Sequence, residues 1–164
     1  MKSIAVNHIG LTVQEIEKAI EWYGKIFGAK LIIGPLDITP DDSHFGRLAV
    51  DLLGGRLRSG KFAHLITENG VGLELFEFDD PEAGSRVDNM EYWKNGIFHF
   101  CVTHPEPQTL ADEIVANGGK QRTENWEIFP GSERRLIYTE DPWGNIIEIY
   151  SHTYEETWSY ALQS

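Results

Sequence analysis

The chain has 164 residues, 41% of them hydrophobic and 24% charged. That is the make-up of one folded domain or two small modules, not of an extended disordered chain. A net charge of −12, with no block of Lys or Arg, excludes the basic patch that nucleic acid or an anionic membrane surface requires. No apolar run approaches the ~20 residues that span a bilayer. The single cysteine, Cys101, has no internal disulfide partner, and the N-terminus lacks a basic stretch followed by an apolar one, so a cytoplasmic protein is expected.

In chain order, residues 6–13 alternate apolar and polar and predict a strand carrying His8. Ile16, Ala19, Ile20, Tyr23 and Phe27 recur at helical spacing, with Gly28 at the stop and Thr12 with Glu15 as a capping box. Residues 29–33 predict a second strand. Residues 35–60 read as an insertion, in which Phe45, Leu48, Ala49, Leu52 and Leu53 follow Pro40, Asp41, Asp42 and Ser43 as a capped helix with flexible flanks. Residues 61–67 and 71–78 predict a hairpin around Glu68, Asn69 and Gly70. Residues 97–104 then repeat the opening pattern with His99. A shorter helical stripe follows (Leu110, Ala111, Ile114, Val115), ended by Gly118 and Gly119. Strands are expected at 120–122, 134–139 and 145–150, the last two joined by the turn Asp141, Pro142, Trp143, Gly144. The expected division is a first βαβββ module over 1–80, a linker over 81–94, a second module over 95–151 and a tail over 152–164. Tyr154, Trp158 and Tyr160 give that tail enough aromatic surface to pack on the body or on a second subunit.

The internal repeat gives four residues their weight. Side chains alternate across a strand, so His8 opposes Ile9 and Leu11, and His99 opposes Phe98 and Phe100. Likewise Glu74 opposes Leu73 and Leu75, and Glu148 opposes Ile147 and Ile149. An ordinary half-exposed strand shows the same alternation. Position separates the two readings: His opens each half and Glu lies on the last strand of each. Mixed imidazole and carboxylate donors suit Zn, Ni, Co, Mn or Fe(II) better than Ca or Cu(I). His8, Glu74, His99 and Glu148 are therefore expected to converge on one divalent metal ion.

These segments resemble the vicinal oxygen chelate superfamily, which contains glyoxalase I, epimerases, extradiol dioxygenases and the fosfomycin and bleomycin resistance proteins. The resemblance is carried by N-H-I-G-L-T-V at 7–13, A-I-E-W-Y-G-K-I-F-G at 19–28, G-L-E-L at 72–75, F-H-F-C-V at 98–102 and D-P-W-G-N-I-I-E-I at 141–149. It implies an α+β fold, two βαβββ modules forming a cup-shaped mixed sheet around a metal site. It also implies that the four residues above fall on the ligand positions. The full His/Glu/His/Glu set is similar to that of glyoxalase I and implies a metal-dependent lyase or isomerase acting on a small oxygen-chelating metabolite, through a metal-stabilised enediolate and proton transfer. Glu148, then Glu74, are the candidate catalytic bases. The alternatives are an Fe(II) extradiol-type dioxygenase and a non-catalytic drug- or metabolite-binding protein like the bleomycin resistance proteins. Thr12 and Phe78 depart from the Arg and Asn usual in glutathione-using relatives and argue against a glutathione substrate. Phe76, Phe78 and Tyr150 are candidate substrate walls, and Arg47 and Arg134 candidate anion contacts. His44, His64, His104 and His152 are expected on the surface or behind the ligands, and Cys101 as a small packed residue. The resemblance also implies a homodimer.

Overall fold

The computed structural model describes residues 4–84 and 87–160. Residues 1–3 of the expected first module, 85 and 86 of the expected linker and 161–164 of the expected tail lie outside them. The chain divides into two compact units, 1–84 and 85–164.

In the first unit, β1 (His8–Thr12) leads into α1 (Ile16–Phe27), then β2 (Lys30–Ile38), α2 (His44–Leu53), β3 (Ser59–Ile66) and β4 (Gly72–Asp80). The strands form a mixed sheet in the order β1-β4-β3-β2, with β1 parallel to β4 and the other pairs antiparallel. Ile16, Ala19, Trp22, Tyr23 and Ile26 of α1 are buried, as are Leu11, Val13, Ala63, Leu65, Leu73 and Leu75 from the sheet. The period-2 alternation sends those six to the helix-covered face and leaves His8, Glu74 and Phe76 on the other.

Two local expectations change. Thr12 and Glu15 form no capping box; Glu15 sits at the N-cap without a side-chain cap bond. Instead the Ile16 amide donates to Oε2 of Glu77, 2.6 Å away on β4. A carboxylate from the sheet thus meets the positive end of the helix, which a local pairing could not foretell. The insertion is also shorter than 35–60, because β2 runs on through Pro35 to Ile38 and β3 begins at Ser59. What remains between them is α2 and its flanks. Ser43 caps α2, its Oγ accepting from the Gly46 amide at 2.9 Å. Ser43→Ala is expected to cost about 1 kcal/mol, read as a lower urea midpoint with unchanged slope. The inner side of the insertion, with Ala49 and Leu57, joins Ile38 in a small buried cluster against Phe62, Phe76 and Phe78.

The second unit repeats the plan. β5 (Phe100–Thr103) is followed by α3 (Pro107–Ala116), β6 (Lys120–Gln121), β7 (Trp126–Glu127), β8 (Arg135–Glu140), β9 (Ile146–Tyr150) and α4 (Tyr154–Tyr160). The sheet order is β5-β9-β8-β6, with β7 added on β8 and β5 parallel to β9. Leu110, Ala111 and Ile114 of α3 are buried, as are Ile137, Thr139, Ile147 and Ile149 of the sheet. Gly119 holds α3 close to that sheet: a Cβ there would collide with the Glu140 carbonyl oxygen and with Cγ2 of Ile114. Gly119→Ala is expected to destabilise the unit by about 1–3 kcal/mol through overpacking, visible as a drop in Tm.

The expected linker is partly absorbed into both units. The Ala83 amide bonds to the Phe78 carbonyl. Asp88 pairs with Arg122 at 3.1 Å and Asn89 donates to the Gly144 carbonyl. The fold is therefore α+β, with two mixed sheets each backed by a helix. Among the described residues no helix is long and apolar enough to cross a membrane.

Candidate functional site

The sheet face turned away from α1 in the first unit, and from α3 in the second, carries one histidine–glutamate pair. In the first unit β1 runs beside β4, with His8 opposite Gly72 and Gly10 opposite Glu74. His8 Nε2 lies 3.3 Å from Glu74 Oε2. In the second unit β5 runs beside β9 with Cys101 opposite Glu148, and His99 stands just before β5. Its Nε2 lies 3.2 Å from Glu148 Oε2. The two pairs thus form in the same way, from a histidine on the edge-strand side and a carboxylate on the neighbouring parallel strand.

These separations bear on whether a metal fits. Two donors on one ion, at bond lengths of about 2.0–2.2 Å, stand roughly 3.0–3.4 Å apart in octahedral or tetrahedral geometry. Both pairs meet that spacing. Nδ1 of His8 lies 2.8 Å from Oδ1 of Asn7. An amide oxygen there favours a proton on Nδ1 and leaves the Nε2 lone pair facing Glu74, the tautomer a ligand needs. His99 is held differently. Phe98 and Tyr138 meet its ring edge-on, with centroids 4.4 and 5.3 Å away. Its Nδ1 is buried without a hydrogen-bond partner among the described residues. Among the described residues no three His, Cys, Asp or Glu side chains are grouped to hold an ion, so the structure assembles the four candidates as two two-donor pairs.

The pairs differ in surroundings. The side chain of Glu74 is 22% exposed and that of Glu148 only 9%. Around Glu148 stand Cys101, Tyr138 and Tyr150, all three with raised pKa values. In each, burial is the largest cause and the Glu148 charge follows; Tyr150 is pushed up to about 12. These groups stay protonated through the physiological range and face the carboxylate as neutral neighbours. Cys101 is exposed along its strand, but a thiol held protonated is a poor nucleophile.

The other candidates distribute unevenly. Phe76 stands next to Glu74 on its face, opposite Thr12 on β1 and Phe62 on β3. Its ring stacks on Phe78 at 5.6 Å, and both rings also pack on the cluster under α2. Tyr150 is 7% exposed, and its hydroxyl interacts with Trp158 of α4. Arg47 is exposed on α2 and donates to the Asp42 carbonyl. It lines a hollow with Pro40, Asp41, Asp42, Val50 and Asp51, not the His8–Glu74 pair. Arg134 donates through Nε to the Glu156 carbonyl at 3.2 Å and so ties α4 to the body. His104 and His152 bond to the Glu106 carbonyl and to Ser151, and His44 opens α2.

Two further residues stand beside the pairs: His64, expected on the surface or behind the ligands, and Tyr138, which the sequence reading did not single out. His64 stands opposite Glu74 across the β3–β4 hairpin and Tyr138 opposite Glu148 across the β8–β9 hairpin. The signal was present, because each is as far before its turn centre, Asn69 or Trp143, as its glutamate is after it.

The profile of the Glyoxalase/Bleomycin resistance protein/Dioxygenase superfamily matches residues 5–149. The chain belongs to this superfamily. Among curated proteins, this superfamily member is similar to a 2-epi-5-epi-valiolone epimerase from an Actinomyces species. The two are 24% identical over 150 residues, which cover 90% of this chain and 79% of the relative. Among solved structures it is similar to a glyoxalase family protein from Bacillus cereus, with a TM-score of 0.72 at 18% identity, covering 92% of this chain and 95% of that one. The fosfomycin resistance protein FosX from Listeria monocytogenes, in complex with Mn(II) and sulfate, matches with a TM-score of 0.59 at 18% identity, covering 96% and 99%. Both likenesses place the chain in the vicinal oxygen chelate fold.

Proposed function

We propose that this protein is a glyoxalase-like, metal-dependent isomerase that epimerises a small metabolite with neighbouring oxygen atoms by moving a proton next to a carbonyl. The observation that carries the reading is the repeated contact of a histidine Nε2 with a glutamate oxygen, 3.3 Å in one unit and 3.2 Å in the other. The epimerase relative supports the reaction class, and the Mn(II)-bound structural relative supports a divalent ion. His8, Glu74, His99 and Glu148 are the residues that would hold it, with Mn, Co, Ni or Zn suiting the donor set. When bound, such an ion supplies Lewis-acid polarisation of the substrate's oxygens.

The remaining work falls to the chain. Glu148 takes the proton and returns it, with Glu74 as the second candidate; a carboxylate next to the reacting carbon meets the reach that general-base catalysis demands. Burial lowers the dielectric around Glu148 and strengthens its field on a polarised substrate. Phe76 gives the substrate an apolar side beside Glu74. Thr12 and Phe78 supply neither of the polar contacts expected for a glutathione conjugate, which favours an unconjugated metabolite. The chain is further proposed to act as a homodimer, with its two units serving as the two βαβββ modules.

Protein loaded in turn with Mn(II), Co(II), Ni(II) and Zn(II) would be incubated with polyhydroxylated ketones in deuterated water and followed by NMR. Deuterium entering next to the carbonyl, with retention or inversion at that carbon, is the expected result. Metal-loaded protein that exchanges no such proton would overturn the isomerase reading, and oxygen uptake on catechols with Fe(II) would replace it by a dioxygenase.

A further inference from the structure

The arrangement around each glutamate reaches beyond its histidine partner. On the face of the first sheet turned away from α1, three strands place Gly10, Glu74 and His64 side by side. On the second, the corresponding row is Cys101, Glu148 and Tyr138. The central residue of each row is a proposed ligand, and His8 or His99 reaches it from the first strand. The residue on the third strand has no place in the function derived above. Yet it faces the carboxylate in both units.

The geometry of Glu74 shows what this neighbour does. Its two oxygens are divided: Oε2 faces His8 Nε2 at 3.3 Å, while Oε1 faces His64 Nε2 at 3.7 Å. His64 thus stands on the oxygen that His8 leaves free. Its ring is fixed edge-on against Phe62, with centroids 5.3 Å apart, and Phe62 stacks on Phe45 of α2 at 5.4 Å. Tyr138 takes the corresponding place beside Glu148, directly opposite it across the β8–β9 hairpin. It also meets His99 edge-on, with interplanar angle 90°. A carboxylate that binds an ion through one oxygen needs its other oxygen satisfied and its torsions held, and partners of this kind govern affinity without touching the ion.

We infer that His64 and Tyr138 are paired positioning residues, each holding from the third strand the carboxylate that its unit offers as a ligand. The inference rests on the reading of Glu74 and Glu148 as metal ligands. The units use different chemistry for the same task. Tyr138 offers a neutral hydroxyl beside the glutamate and meets the histidine of its pair with its ring. His64 braces the glutamate alone and is itself set by the aromatic contact to the insertion.

The test is Mn(II) binding to the full-length protein, read from the free-ion EPR signal, with thermal unfolding of each metal-free variant to confirm folding. Tyr138→Phe and His64→Ala are each expected to weaken Mn(II) about 10–100-fold with metal-free Tm near that of the parent. His64→Gln, which keeps a nitrogen donor at similar reach, is expected to recover most of the loss. His104→Ala, which removes a ring that bonds to the Glu106 carbonyl and to no member of either pair, is expected to change nothing. Retention of parental affinity by Tyr138→Phe and His64→Ala, while Glu74→Gln and Glu148→Gln lose it, would overturn the positioning role and leave the ligand reading intact. Parental affinity in the two glutamine variants would overturn both. Loss in His64→Ala without recovery in His64→Gln would make His64 a ligand in its own right and overturn its positioning role.

Discussion

Glu148→Gln is expected to leave the fold in place and lower turnover by about 10²–10⁴-fold, the range that a positioned general base contributes. The side chain is 9% exposed and contacts His99 at 3.2 Å, so glutamine fills the same volume without a cavity. An amide cannot take a proton from carbon at physiological pH, and its oxygen is a weak neutral donor in place of an anionic one. Metal affinity should fall as well, by at least the ~10–100-fold seen when an outer partner of a ligand is lost. Deuterium exchange into substrate under saturating Mn(II) separates the two losses, because excess ion restores occupancy but not the missing base. A variant that exchanged at the parental rate under those conditions would transfer the proton-moving role to Glu74. Thermal unfolding of the metal-free variant should show a Tm equal to or above that of the parent, since a buried carboxylate has been replaced by a neutral group.

Leu75→Ala should give the largest loss of stability, about 2–5 kcal/mol. Leu75 is fully buried on the sheet face that α1 covers, directly after Glu74 on β4. Shortening it leaves a cavity under the central part of the sheet, where Leu65, Leu73 and Ala63 are already packed. Because a domain of this kind is stable by only about 5–15 kcal/mol, the variant stands near the limit of folding at 37 °C. Urea unfolding followed by tryptophan fluorescence measures the change as a midpoint shift at constant slope. A loss below about 1 kcal/mol would mean that α1 collapses into the space, and that the face behind the ligand strand is softer than its burial implies.

The histidine–glutamate pairs were legible because strand alternation is local. A polar residue between Leu73 and Leu75 has one face left to occupy, and the same holds for Glu148 between Ile147 and Ile149. The superfamily segments added the fold. The places of His64 and Tyr138 opposite the two glutamates were not drawn, because alternation was followed along each strand but not across the hairpins, although the turns at Asn69 and Trp143 already set both registers. The cap on α1 was not legible at all. Glu77 reaches Ile16 from the far end of the unit, and no spacing rule connects them. The partners of Arg47 and Arg134, candidate anion contacts, were not legible for a related reason. A guanidinium attracted by an unseen carbonyl, here those of Asp42 and Glu156, goes where the backbone ends. The two-residue β7 is too short to leave a period.

The parallel pairing of first and last strands in each unit has a consequence for when the protein becomes competent. His8 lies on the first strand of its unit, yet its carboxylate partner arrives only with the last strand of the same sheet. The second pair waits in the same way for β9. No fragment that stops short of these closing strands contains a complete pair, and contacts so distant in sequence are slow to form. Under the proposed metal reading, an ion that needs both members of a pair would ignore the nascent chain and stabilise only finished units, by about 2.7 kcal/mol when free ion exceeds Kd a hundredfold. Metal supply would then act as a late check on folding, and starvation for the ion would lower the amount of protein as well as its activity.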